Sequence, residues 1–220
     1  MKTMELIPNR YFANDVQKEW NEKRLSKILT IFGKHWFKDK RILEVACGRG
    51  FFGRELSKLG AIATFTDARQ LFVDALVADG FDALVMDQDK DWVVPSTFDL
   101  VIHFGVLYHL DNWKKDLEFA VKTSPIVVLE SEVVDKLDDT YEKKVQEEDE
   151  YDQAFNRTAT KFSDVHVESY LKELGVQIEK ESDSTIDCCP HFVYSWSHGQ
   201  EEGNGFHKNT LRRRMWVIRR

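Results

Sequence analysis

Short apolar runs recur along the chain, and polar segments with helical spacing lie between them. The runs at 42–45, 61–66, 83–86, 98–104 and 126–130 each have the length and the β-branched or aromatic content of a buried strand. Between them, 51–59 and 69–79 place apolar side chains at helical spacing, a further helix begins near Asp111, and 165–174 shows the same period before Gly175 stops it. Upstream, Val16, Trp20, Leu25, Ile28, Leu29, Ile31 and Phe32 predict one or two helices over 10–36. Residues 176–180 alternate as a strand does, and 215–218 form a last one. Strands separated by helices predict an α/β fold, a mostly parallel sheet with helices on both faces. Right-handed crossovers bring the strand C-termini to one edge, where a ligand belongs at the topological switch point.

Two stretches break this rhythm. Residues 131–152 are dense in charge and lack glycine and proline, which predicts a solvated helix or a mobile lid. Residues 184–209 form a long connection rich in aromatic, His, Ser and Gly residues, and long connections of this kind inside domains are usually functional. The whole of 1–220 reads as one domain, with 131–163 and 184–209 as insertions covering the site.

Composition narrows the partners. The chain has 220 residues, is 42% hydrophobic and carries a net charge of −7, which describes a globular protein without the basic face of a broad nucleic-acid footprint. Arg212, Arg213, Arg214, Arg219 and Arg220 read as a solvated edge strand, with an RNA contact as the competing reading. Three cysteines, Cys47, Cys188 and Cys189, make no disulfide framework and suggest a reducing compartment. With no run long enough to span a membrane and no signal-peptide core at the N-terminus, the expectation is a soluble cytoplasmic protein.

The chemistry gathers at the strand ends. The first strand runs into Ala46-Cys47-Gly48-Arg49-Gly50, a small-residue turn opening a helix, which is how α/β proteins bring a nucleotide-like ligand against the main chain. Glu44, inside that strand end, suits a ligand with an ammonium or sulfonium group rather than a phosphate. Asp67, followed by Ala68, ends the second strand, where a carboxylate can take both ribose hydroxyls. Asp87, followed by Gln88, ends the third, where it can accept from an adenine amine. An adenosine-shaped slot follows, and strand, turn and acid alone leave both S-adenosylmethionine (SAM) and NAD open.

The segment Glu44-Val45-Ala46-Cys47-Gly48-Arg49-Gly50 resembles the first motif of class I SAM-dependent methyltransferases, with Ala46 replacing the first glycine. Asp67 and Asp87 match that family's ribose- and adenine-binding acids, and the 98–104 strand resembles its fourth motif. The resemblance implies a Rossmann-like seven-stranded sheet with an antiparallel last strand. It also implies SAM as cofactor, held by Glu44, Ala46, Cys47, Gly48, Gly50, Asp67, Ala68, Asp87, Gln88, His103 and Phe104. His103-Phe104-Gly105-Val106 replaces the Pro-Pro-aromatic turn of enzymes that methylate nucleobase or glutamine amines, and Cys189-Pro190 is the wrong order and place for a cytosine-5 nucleophile.

Gly105-Val106-Leu107-Tyr108-His109-Leu110 resembles a stretch common among small-molecule methyltransferases, and a similar one occurs in a branch acting on the wobble uridine of tRNA. Position near the strand ends makes His109 a candidate base, or else a residue that packs under the cofactor or caps a helix, and Tyr108 a candidate substrate-orienting group, while Tyr151, Asn156 and Arg157 lie in what looks like a substrate-side insertion. Cys188, Cys189, His191 and His198 have no zinc-like spacing, so no metal is expected. Phe192, Tyr194, Trp196 and Phe206 either roof a substrate pocket or pack the core. The expected function is methyl transfer from SAM to an oxygen or nitrogen of a small-molecule or sugar-like acceptor. The alternatives are a tRNA- or RNA-modifying enzyme of the same fold and a SAM-binding module without transferase activity.

Overall fold

The computed structural model describes residues 15–148, 153–189, 192–199 and 212–220. A seven-stranded sheet is built from β1 (Arg41–Val45), β2 (Ile62–Asp67), β3 (Asp82–Val85), β4 (Leu100–Phe104), β5 (Ile126–Val133), β8 (Gln177–Glu181) and β9 (Arg212–Arg219). Its order is β3-β2-β1-β4-β5-β9-β8, and β9 runs antiparallel to both neighbours while the other pairs are parallel. The Rossmann-like sheet with an antiparallel last strand is therefore present. The order reverses between β1 and β4, which places the switch point there.

Because side chains alternate along a strand, the sheet sorts its residues into two faces. Leu43, Val45, Val101, Val127, Leu129, Trp216 and Ile218 pack against α4 (Trp113–Thr123) and α5 (Asp164–Glu173). Ile42, Leu100, Ile102, Val128 and Met215 pack on the other side against α1 (Asp15–Phe32) and α2 (Phe51–Ser57), with α3 (Gln70–Ala78) beside α2 over β2. Apolar spacing accounts for these helices, and a local bond starts α5, where Ser163 Oγ accepts from His166 N at 3.1 Å.

The one or two helices expected over 10–36 are, from residue 15 on, α1 followed by a short 3₁₀ turn at Lys34–Phe37. Two expectations change. The charged segment after residue 131 is not a helix over its described part: β5 runs on to Val133, and β6 (Glu142–Gln146) pairs antiparallel with β7 (Thr158–Phe162) in a two-stranded ribbon. The β6 sequence, Glu142-Lys143-Lys144-Val145-Gln146, is that of a strand exposed along most of its length. The arginine-rich strand is not a solvated edge. β9 lies between β5 and β8, and Arg213 and Arg214 are each only 3% exposed. Arg213 faces the α1 side, where it bonds Glu130, and Arg214 faces the α5 side, where it bonds Asp164 at 3.0 Å.

Candidate functional site

The turn after β1 is set by a few close contacts. Gly48 and Gly50 take φ of 52° and 71°, and Ala46 takes 46°, a region that costs a side chain strain. Gly53 sits in α2 where an added methyl would lie 2.4 Å from the Phe65 ring, so only glycine lets α2 press onto β2. Glu44 is buried and accepts from Phe52 N at 3.4 Å and Gly53 N at 2.5 Å. Burial pushes its carboxyl up to about 7, against the two amide bonds. Asp67 Oδ2 accepts from Gly48 N and Oδ1 from Arg69 N, both at 2.9 Å, which ties the end of β2 to the turn. Burial raises this carboxyl too.

These groups open onto a cleft of about 790 Å³ along the C-terminal edge of the sheet. Its floor and one end hold Glu44, Ala46, Cys47, Gly48, Asp67 and Ala68. Asp87, Gln88 and Asp89 continue that end at β3. With its amide oriented to satisfy both neighbours, Gln88 accepts from Ala46 N at 2.9 Å and donates to Met86 O at 3.1 Å, which links the β1 and β3 ends. The acceptor-rich lining fits the hydroxyls, amine and sulfonium of SAM. It fits a pyrophosphate poorly, because Glu44 already occupies the first free amides of α2.

The other end of the cleft is built by α1, the β4 end and β9. Trp20 and Arg24 from α1 meet Phe52, Phe104, Tyr108, Phe192 and Arg213. Trp20 and Phe192 stack with ring centroids 4.0 Å apart and 7° between planes, and the Arg24 guanidinium lies 3.5 Å over the Trp20 ring. Beneath them Glu130, fully buried, binds Arg24 at 3.1 Å, Arg213 at 3.0 Å and the Tyr194 hydroxyl at 3.0 Å. Burial presses the Arg24 guanidinium below its ordinary range, with Glu130 opposing and Arg213 adding to the effect. Tyr108 is buried, its hydroxyl accepts from Arg213 Nη2 at 3.1 Å, and burial raises its phenol.

At the mouth, His109 Nδ1 lies 2.6 Å from Glu147 Oε2. Burial raises the Glu147 carboxyl, but the bonds from His109 and from Ala154 N outweigh it and hold it below the ordinary range. Lys161 lies 3.0 Å from Glu132 and 3.7 Å from Glu147, with its ammonium 4.8 Å over the Tyr108 ring.

Several expected site residues sit elsewhere. His103 does not reach the cleft: it shares a face with Val101, is fully buried, and its Nε2 lies 2.5 Å from Asp116, which also accepts from Trp92 Nε1 at 3.0 Å. Gly50 does not line the cleft either; it is the residue before α2, pressed toward Phe65 and Leu76. Asn156 donates to Asp87 and Asp89 at 3.3 Å, so it belongs to the acidic end rather than the substrate side. Arg157 is a turn residue with φ of 60°, whose carbonyl accepts from Glu147 N at 2.8 Å. Tyr151, His191 and Phe206 lie outside the described residues. Tyr194 and Trp196 are core, while Phe192 does wall the cleft. No group of metal-ligating side chains is found among the described residues.

Sequence reading missed Trp20, Arg24, Glu147, Lys161 and Arg213. One signal for the first two was available: Gln17, Trp20, Asn21 and Arg24 share one stripe of α1 at helical spacing, and all four line the cleft.

Comparison with known proteins agrees with this geometry. A family model described as a methyltransferase domain matches residues 15–181. The mitochondrial ubiquinone biosynthesis O-methyltransferase of Schizosaccharomyces pombe is 26% identical over 101 residues, which cover 42% of this chain and 37% of that protein. Among solved structures, the N-terminal domain of EvdMO1 with SAH and D-fucose superposes with a TM-score of 0.64 at 15% identity, covering 92% of this chain and 83% of that one. Magnesium protoporphyrin IX methyltransferase from Synechocystis PCC 6803 with bound SAH gives 0.61 at 12% identity, covering 94% and 88%. A SAM-dependent methyltransferase from Clostridium acetobutylicum gives 0.59 at 15%, covering 94% and 92%.

Proposed function

The chain belongs to the class I SAM-dependent methyltransferases, and from that membership we propose that it methylates an oxygen or nitrogen of a small-molecule acceptor. The observation that carries the reading is the aromatic recess of Trp20, Phe52, Phe104, Tyr108 and Phe192 beside the His109–Glu147 pair. Glu44, Asp67 and Asp87 would hold the cofactor, with the turn from Ala46 to Gly48 against it. SAM supplies the methyl group as a sulfonium that a nucleophile displaces in line.

The remaining work falls to this chain's side chains. The aromatic walls exclude water and orient a flat acceptor. Glu147 accepts the Nδ1 proton of His109, which leaves Nε2 as the lone-pair nitrogen. That nitrogen takes the proton released as the new carbon–oxygen or carbon–nitrogen bond forms. Two similar proteins are named for small molecules, a ubiquinone pathway and a magnesium protoporphyrin. One of the two motivations for the RNA alternative weakens, because Arg213 and Arg214 are buried and bond Glu130 and Asp164; the Gly105–His109 stretch still speaks for it, and the test below includes it.

The test offers the protein labelled SAM with a deproteinised metabolite extract and, separately, with bulk tRNA. Label is expected in the small-molecule fraction only. Label in tRNA, or in neither pool, overturns the proposal.

A further inference from the structure

The charge balance at the aromatic end of the cleft is uneven. Arg24 and Arg213 both bond Glu130, at 3.1 and 3.0 Å. Their remaining hydrogen-bond partners are neutral: Asn21 for Arg24, and the Tyr108 hydroxyl, at 3.1 Å, for Arg213; Glu44 also acts on Arg24 through space, but without a hydrogen bond and with its carboxyl raised to about 7 by burial. Each guanidinium keeps a buried Nε without a hydrogen-bond partner among the described residues. Two cations thus share one ion-paired carboxylate, in a place where both side chains are almost fully withdrawn from water. Aromatic faces take up part of the surplus, with Arg24 3.5 Å over Trp20 and Arg213 4.6 Å over the same ring. A neutral wall would need only one of the two arginines, and a buried charge without a counter-charge is costly.

Tyr108 adds direction. Its hydroxyl accepts from Arg213, so its own proton remains to be donated, and it lines the cleft. The opposite flank has no such surplus, because Lys161 there is shared by Glu132 and Glu147.

Resting on the small-molecule reading above, we propose that the acceptor carries an anionic group, a carboxylate or an equivalent oxyanion, which docks against Arg24, Arg213 and the Tyr108 hydroxyl. That group supplies the counter-charge that Glu130 alone does not. It also fixes the acceptor end-on, so that its nucleophilic atom is presented toward the His109 flank. Specificity then rests on charge as well as on the flat shape of the recess, since an uncharged analogue would leave two guanidiniums with Glu130 as their one ion-paired carboxylate.

The experiment uses the full chain saturated with SAH. Benzoate, phenylacetate and 2-naphthoate are each titrated against the matching carboxamide, by thermal shift and calorimetry. The carboxylates are expected to bind about tenfold tighter than their amides, the scale of a charge-assisted hydrogen bond. Tyr108→Phe, which removes one hydroxyl, is expected to reduce that ratio, and Arg24→Gln to abolish it in protein that still binds SAH. If no carboxylate outbinds its carboxamide, or if the preference survives both substitutions, the inference is overturned while the methyltransferase reading stands. Failure to bind SAH at all would strike that reading instead.

Discussion

His109 Nδ1 and Glu147 Oε2 lie 2.6 Å apart although 38 residues of chain separate them. The same carboxylate oxygen accepts from Ala154 N at 2.7 Å, so the connection between β6 and β7 holds the carboxylate against the imidazole. His109→Ala is expected to lower kcat by about 10²- to 10⁴-fold, the range of a lost general base. Glu147→Gln keeps the ring but not its orientation, and should lower kcat by about tenfold to a hundredfold. Steady-state transfer from labelled SAM, run beside SAH titration, separates these effects from cofactor binding. A Glu147→Gln change confined to KM would assign Glu147 to acceptor binding instead.

Asp67 has each carboxylate oxygen on a backbone amide and still faces the cleft. Asp67→Asn places an amide group against Gly48 N or Arg69 N, so the turn should loosen along with the ribose contact. SAH affinity is expected to fall by about tenfold or more, as for loss of a hydrogen bond to a charged group. Calorimetry reads this directly; unchanged affinity would remove Asp67 from the cofactor site.

Two single-methyl changes near the turn should act in opposite directions. Gly53→Ala drives a carbon to within 2.4 Å of the Phe65 ring and 3.0 Å of Glu44 Oε2, which should cost about 1–3 kcal/mol. Ala46→Gly removes a side chain from a φ of 46° and should be neutral or stabilising by up to about 1 kcal/mol. Urea unfolding of the two variants beside the parent gives both values.

Glu44 makes stability depend on pH. Its carboxyl is raised in the folded protein from 4.5 to about 7, chiefly by burial. Between those values the folded state keeps a proton that the unfolded chain releases, so stability should fall as pH rises through this window and level off above it. The full effect is on the order of 3 kcal/mol. Glu44→Gln should flatten the slope, as urea midpoints at pH 5 and 7.5 would show. An unchanged slope would place its origin at another group.

The cofactor half of the cleft was legible because its signals are local. Strand, turn and helix lie within 41–57, Asp67 ends β2 and Asp87 follows two residues after β3, and both strands announce themselves by apolar runs. His103 misled because β4 is buried on both faces, so no polar alternation reveals which way its side chain points. Arg213 and Arg214 misled for a different reason. An arginine in a strand is most often exposed, and only insertion of β9 between β5 and β8 turns one toward Glu130 and the other toward Asp164. Glu147 sits at the edge of a charged run whose ribbon pairing depends on residues 158–162, so nothing nearby set it apart.

The bond from Trp20 Nε1 to the Tyr194 hydroxyl spans 174 residues, and it closes a wall whose other member, Arg213, is on the last strand. A ribosome therefore emits every cleft-lining residue from Glu44 to His109 long before the far wall can be completed. During synthesis the nascent chain acquires the elements of the proposed nucleoside slot first and completes the proposed acceptor wall last. On that reading, discrimination between acceptors is a property of the finished tertiary structure, whereas the slot is written in one continuous stretch of sequence.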